Sequence, residues 1–147
     1  MKKILVVEDD DKTANVLAIR LKAAGYEVFT ASDGLEGINL AIAHQPDLVL
    51  SDIWMPVGLG FSVIQRLKQL GMERIPIIFM TASKRRNLRK IAQQLGASGF
   101  LEKPYKPQEL LDVIAHALRV ADACLQGQLS AASAGLPGQN DLGDATL

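Results

Sequence analysis

The stretch Ile4-Leu5-Val6-Val7-Glu8-Asp9-Asp10-Asp11 decides the fold, because a short apolar run passes directly into four acids. A membrane span needs about 18 apolar residues, and a secretory signal needs an apolar stretch of about 7 to 15. Four apolar residues fit neither, but they are typical of a strand that is buried on both faces. We therefore expect a cytoplasmic protein whose chain starts at its mature start, with a buried strand at residues 4–7.

Through the first 120 residues, short apolar runs alternate with segments whose apolar residues have helical spacing. The other predicted strands are Glu27–Ala31, Leu48–Leu50, Ile77–Met80 and Gly99–Leu101. The predicted helices are marked by Leu17/Leu21/Ala24, Leu35/Ile38/Ile42, Phe61/Ile64/Leu67/Leu70, Leu88/Ile91/Ala92/Leu95 and Leu110/Val113/Ile114/Ala117/Leu118. Five strand–helix units predict an α/β fold, a doubly wound, five-stranded parallel sheet with five helices on its two faces.

Composition excludes several classes of protein. Sixteen basic and sixteen acidic side chains give a formal net charge of zero, which argues against nucleic-acid binding through bulk positive charge. One cysteine, Cys124, rules out a disulfide framework and a cysteine-based zinc site. From Gln126 onward the chain has no Lys or Arg and is rich in Gly and Ala, so we predict a folded domain over residues 1–121 and a flexible tail over 122–147.

Polar side chains follow four of the five predicted strands. Glu8 and Asp9 follow strand 1, Asp52 follows strand 3, Thr81 follows strand 4 and Lys103 follows strand 5. In open parallel sheets, ligands bind beyond the carboxyl ends of the strands. We expect these side chains to converge on one edge of the sheet.

These side chains suit phosphoryl transfer. Clustered carboxylates raise one another's pKa unless a cation is present, and Glu8, Asp9 and Asp52 would form an oxygen-rich site for Mg²⁺. A carboxylate can act as a nucleophile and form an aspartyl phosphate. Mg²⁺ and a lysine would neutralise the charge of the transferring group, and a threonine hydroxyl could donate to one of its oxygens.

The chain resembles the receiver domain of two-component response regulators over about residues 2–120. The resemblance rests on the joint order and spacing of Ile4-Leu5-Val6-Val7-Glu8-Asp9-Asp10, Pro46-Asp47-Leu48-Val49-Leu50-Ser51-Asp52, Met55-Pro56, Thr81-Ala82 and Lys103-Pro104. It implies the flavodoxin-like strand order 2-1-3-4-5. It also implies that Asp52 accepts a phosphoryl group from a sensor histidine kinase or a histidine phosphotransfer protein.

The resemblance assigns the remaining roles by position. It implies that Asp9, Asp52 and the backbone carbonyl of Trp54 bind Mg²⁺, with Glu8 assisting from outside the ligand set. Thr81 and Lys103 would contact the phosphoryl group, and the Lys103–Pro104 bond would be cis.

Two positions depart from the family pattern. Phe100 falls at the family's aromatic switch position but lacks the tyrosine hydroxyl, and Leu59 stands where the family often has an aspartate. We expect phosphorylation to draw the hydroxyl of Thr81 towards the phosphoryl group and to let the ring of Phe100 turn inward. The face formed by helix 4, strand 5 and helix 5 would then change.

Several alternatives stay open at this point. Asp9 could be only a helix cap. The basic run Lys84, Arg85, Arg86, Arg89 and Lys90 could be a solvated face or a docking surface for an acidic partner. An adaptor that never takes phosphate is possible, as is a phosphatase of the haloacid dehalogenase type. That enzyme usually needs a second acid two residues after the nucleophile, where this chain has Trp54.

We expect a stand-alone response regulator with regulatory rather than metabolic activity. Its phosphorylation would depend on Mg²⁺, and it would switch contacts with a downstream protein on the helix 4–strand 5–helix 5 face. We expect no direct binding to nucleic acid or membrane.

Overall fold

Strands and helices alternate along the whole of the described chain. The structure, a computed structural model, describes residues 1–53, 61–82 and 86–125. The strands are β1 (Lys3–Val7), β2 (Glu27–Ala31), β3 (Leu48–Asp52), β4 (Ile77–Thr81) and β5 (Gly99–Glu102). The helices are α1 (Asp11–Ala23), α2 (Gly34–His44), α3 (Phe61–Gln69), α4 (Arg86–Gln94) and α5 (Pro107–Leu125). The predicted order of elements is confirmed.

All four strand pairings are parallel, and the order across the sheet is β2-β1-β3-β4-β5, as predicted. Val7 pairs with Ser51, Asp52 pairs with Met80, and Thr81 pairs with Glu102. This register brings the carboxyl ends of β1, β3, β4 and β5 to one edge of the sheet. The residues that follow these strands are therefore neighbours in space although they are far apart in sequence.

Alternate strand residues point into two separate cores. Leu5, Val7, Val49 and Phe79 pack with apolar side chains of α2, α3 and α4 on one face. The neighbouring strand residues pack with α1 and α5 on the other face; they include Ile4, Val6, Leu48, Leu50, Ile78 and Met80. Every residue of β3 and β4 is buried, which explains why these strands are almost continuously apolar.

The start of α1 decides between the two roles considered for Asp9. The helix is capped by Asp10, whose carboxylate accepts a hydrogen bond from the backbone N–H of Thr13 at 3.1 Å. Asp9 precedes the cap and is exposed. The helix-cap alternative for Asp9 is therefore wrong, and its carboxylate is not occupied by the end of the helix.

The predicted apolar face of α2 is only partly correct. Ile38 is buried, but Leu35 is 68% exposed and Ile42 is 50% exposed. The buried face consists of Gly37, Ile38 and Ala41. At Gly37 the helix lies so close to Val7 of β1 that a larger residue would collide with it. Residue size at the contact, rather than hydrophobicity alone, sets the orientation of α2.

Helix α5 continues four residues past the predicted domain boundary at residue 121. Its final turns are tied to the start of the chain, since Lys2 Nζ lies 3.0 Å from the carboxylate of Asp122. Residues 126–147 lie outside the described residues, so the flexibility of the tail stays a prediction. In the described part of the chain, no helix is long and apolar enough to cross a bilayer.

We predict that Gly37→Ala destabilises the protein, although alanine favours a helix interior over glycine by about 1 kcal/mol. A Cβ at position 37 would lie 2.9 Å from Cγ2 of Val7, a buried side chain on the interior strand β1. Overpacking of this kind costs about 1 to 3 kcal/mol, so we expect a net loss of roughly 1 kcal/mol in the free energy of unfolding.

Urea unfolding measures this difference. The matched control is Asn39→Ala, an exposed substitution in the same helix that should cause no loss. If Gly37→Ala were as stable as the control, α2 would not be held against β1 in the manner described.

Candidate functional site

Three carboxylates meet where β1 and β3 end. One carboxylate oxygen from each of Glu8, Asp9 and Asp52 lies within 4.8 Å of the other two. Glu8 is 2% exposed and Asp52 is 8% exposed, whereas Asp9 faces solvent. Two carboxylates are thus largely removed from water, and the third lies at the entrance to the cluster.

Lys103 joins the two buried acids. Its Nζ lies 3.0 Å from Oε1 of Glu8 and 3.6 Å from Oδ2 of Asp52. The backbone N–H of Lys103 donates to the carbonyl of Thr81 at 2.8 Å, and the bond to Pro104 is cis. The end of β5 is therefore fixed against β4, with the ammonium group placed between β1 and β3.

Burial raises the pKa of the Glu8 carboxyl, and the charge of Asp52 raises it further, while the hydrogen bond from Lys103 opposes both effects. Burial lowers the pKa of Lys103, but the hydrogen bond to Glu8 and the charges of Asp52 and Glu8 outweigh it, so this pKa is raised. Lys103 is therefore charged at neutral pH. The site holds more acidic groups than one ammonium can neutralise.

This donor set can hold a metal ion. All three side chains offer oxygen, the ligand atom of hard divalent cations, and their spacing lets a single ion reach one oxygen of each. The remaining oxygen of Glu8 accepts a hydrogen bond from the backbone N–H of Asp10 at 3.2 Å, which orients that carboxylate. Trp54, whose carbonyl is a predicted ligand, lies outside the described residues.

The two predicted switch residues lie on the neighbouring strands. Thr81 ends β4 and is fully buried. Phe100 in β5 pairs with Phe79 in β4, and its ring is 4% exposed. The ring of Phe100 therefore lies in a buried, inward position in this structure.

The structure also reveals contacts that the sequence analysis does not predict. The guanidinium carbon of Arg89 lies 5.0 Å from the centre of the Phe100 ring. Tyr105 donates from its hydroxyl to Sδ of Met80 at 3.5 Å, and burial raises its pKa. The tyrosine lines a groove of about 270 Å³ together with Lys12, Thr13, Val16, Leu17 and Arg20 of α1. Only the position of Tyr105, two residues after Lys103, could have indicated its nearness to the site.

Comparisons with known proteins all indicate the same family. The family model described as "Response regulator receiver domain" matches residues 4–115. The chain is 36% identical over 109 residues to the alkaline phosphatase synthesis transcriptional regulatory protein PhoP of Bacillus subtilis, covering 74% of this chain and 45% of that protein. It is 36% identical over 125 residues to the DNA-binding dual master transcriptional regulator RpaA of Synechocystis, covering 83% of this chain and 51% of that protein.

Solved structures agree with this assignment. The chemotaxis protein CheY4 of Vibrio cholerae is 31% identical with a TM-score of 0.75, covering 80% of this chain and 98% of that one. A CheY-like response regulator receiver domain protein of Methanospirillum hungatei is 26% identical with a TM-score of 0.78, covering 83% and 97%. The chain spans about half the length of the curated relatives it matches. The match over residues 4–115 and the shared fold establish that this chain belongs to the response regulator receiver domain family.

Proposed function

We propose that the chain is a phosphorylation-dependent switch in which Asp52 accepts a phosphoryl group from the histidine of a sensor kinase or a phosphotransfer protein. The observation that carries this proposal is the position of the Lys103 ammonium between the buried carboxylates of Glu8 and Asp52. A buried aspartate with a cation beside it and an exposed acid at its entrance combines a nucleophile with stabilisation of the incoming charge.

In the transfer, a carboxylate oxygen of Asp52 attacks the phosphorus atom and forms an O–P bond. The P–N bond to the donor histidine breaks, and its electron pair stays on the imidazole nitrogen. Lys103 stabilises the charge on the phosphoryl oxygens. It stays protonated at neutral pH, since its acidic neighbours raise its pKa despite burial. Thr81 ends the strand beside Asp52 and supplies a hydroxyl for a phosphoryl oxygen.

We further propose that the metal is Mg²⁺, held by Asp9, Asp52 and the carbonyl of Trp54, with Glu8 beside the ligand set. Mg²⁺ keeps several waters and accepts phosphate oxygens as ligands, so it suits a site that is open on the side of Asp9. When bound, it supplies positive charge to the transferring phosphoryl group. Its positive charge would also offset the excess negative charge of the carboxylates around Lys103.

The signal would leave the site through Thr81 and Phe100 towards the face formed by α4, β5 and α5. A ligand shifts a two-state equilibrium only through contacts that differ between the states, and a hydrogen bond from Thr81 to the phosphoryl group would be such a contact. The relatives PhoP and RpaA are transcriptional regulators. Because the chain spans about half their length, action as a stand-alone regulator on a protein partner stays a prediction.

Regulation rather than turnover is the activity of this family. A phosphatase of the haloacid dehalogenase type would need an acid at position 54, where the chain has tryptophan. The remaining rival is an adaptor that keeps the fold without taking phosphate. Phosphorylation of Asp52 distinguishes the proposed switch from this adaptor.

Acetyl phosphate with Mg²⁺ should add one phosphoryl group to the wild-type protein, and Asp52→Asn should abolish the adduct because an amide is not a nucleophile of this kind. Intact-mass spectrometry measures the adduct directly. The matched control is Asp47→Asn. Asp47 lies immediately before the first residue of β3, at the end of the strand far from Asp52, so this variant should keep the adduct. An adduct on Asp52→Asn would contradict the assignment of the nucleophile, and a wild type without any adduct would favour the adaptor.

Asp9→Asn should weaken Mg²⁺ binding about tenfold or more, because it removes one of the carboxylates that can share an ion. Isothermal titration calorimetry in the absence of phosphate measures the dissociation constant. Asp11→Asn is the matched control, since Asp11 is also an exposed acid but stands in the first turn of α1 outside the cluster. Equal affinities in the two variants would show that Asp9 is not a ligand.

A further inference from the structure

We propose that Arg89 is a positioning residue that holds the ring of Phe100 in its buried position and thereby ties α4 to β5. The guanidinium carbon lies 5.0 Å from the ring centre, within the range of a cation–π contact. The ring itself is 4% exposed. A cation on one face and the core on the other thus enclose the side chain.

Phe100 depends on such a contact more than a tyrosine would. Its ring packs into the same core as Leu88 and Ala92, which are buried residues of α4 on either side of Arg89. Phenylalanine has no hydroxyl, so no hydrogen bond can favour one ring position over another. Packing and the charge of Arg89 on the π-face are the interactions that remain to decide where the ring lies.

The end of α4 is anchored separately from Arg89. Nζ of Lys68 in α3 donates to the carbonyl of Leu95, one residue past the last residue of α4, at 2.6 Å. A cation at this end of a helix also interacts favourably with the helix dipole. Loss of Arg89 should therefore release the ring without detaching the helix, so a variant at this position remains a fair test.

The contact adds an electrostatic link between α4 and β5, which also pack together in the core. Outward movement of the ring removes the partner of the guanidinium group, and displacement of the central turn of α4 removes the cation from the ring. Across residues 1–53, 61–82 and 86–125, Arg89 forms no ion pair that could replace this contact. The use of this link in signalling rests on the proposed function, but the link itself does not.

The test uses the unphosphorylated full chain, so its outcome is independent of whether Asp52 accepts phosphate. The chain contains four phenylalanines, and labelling with fluorophenylalanine gives each a ¹⁹F resonance, with Phe100 assigned by Phe100→Leu. Relaxation by a neutral gadolinium chelate reports the exposure of each ring. The resonances of the other phenylalanines serve as an internal control for folding.

Arg89→Met keeps a long side chain but removes the charge, and it should raise the exposed population of the Phe100 ring about two- to fivefold, as expected for a half-exposed cation–π contact. Arg89→Lys should restore part of the protection. The matched control is Lys90→Met, which removes an exposed charge from the next position of the same helix and should leave the ring as in the wild type. Unchanged relaxation in Arg89→Met, or an equal change in Lys90→Met, would overturn the proposal.

Discussion

One ammonium group between two buried carboxylates is the interaction on which the site depends. Glu8 and Asp52 come from different strands, and at such short separation in a poorly solvated place their charges repel strongly. Lys103, which directly follows β5, lies within 3.6 Å of both and offsets part of that repulsion. Burial raises the pKa of Glu8, and the charge of Asp52 raises it further. Because one ammonium group faces two buried carboxylates, its compensation of their charge is incomplete. A metal ion at the entrance formed by Asp9 would complete it, which links the resting charge balance to phosphoryl chemistry.

The parallel sheet is what makes this arrangement possible. The strand order places β1 and β3 side by side at the centre, so their carboxyl ends bring Glu8 and Asp52 together. Close packing of Gly37 against Val7 fixes the strand immediately before Glu8. The hydrogen bond between Lys103 and Thr81 fixes the end of β5. The strand order, the packing of α2 on β1 and this backbone hydrogen bond together position the three charged groups.

Sequence reasoning succeeds where a local pattern has one physical solution. Buried strands such as residues 4–7 admit few alternatives, and parallel pairing then determines which strand ends meet. It fails at α2, where Leu35 and Ile42 are apolar yet exposed, because the fit of Gly37 against Val7 depends on the distance between elements. The contact between Arg89 and Phe100 is missed for a related reason. Neither an arginine nor a phenylalanine indicates from sequence which residue it will contact, and the pair forms only once α4 lies over β5.

A double-mutant cycle between Lys103 and Asp52 tests the central claim most directly. The free energy of unfolding is measured for the wild type, Lys103→Met, Asp52→Asn and the double variant in metal-free buffer. The account predicts that Lys103→Met costs more stability when Asp52 is charged than in the Asn background, with a coupling of about 0.5 to 3 kcal/mol. Equal costs in the two backgrounds would contradict the claim that this ammonium group balances the buried acids.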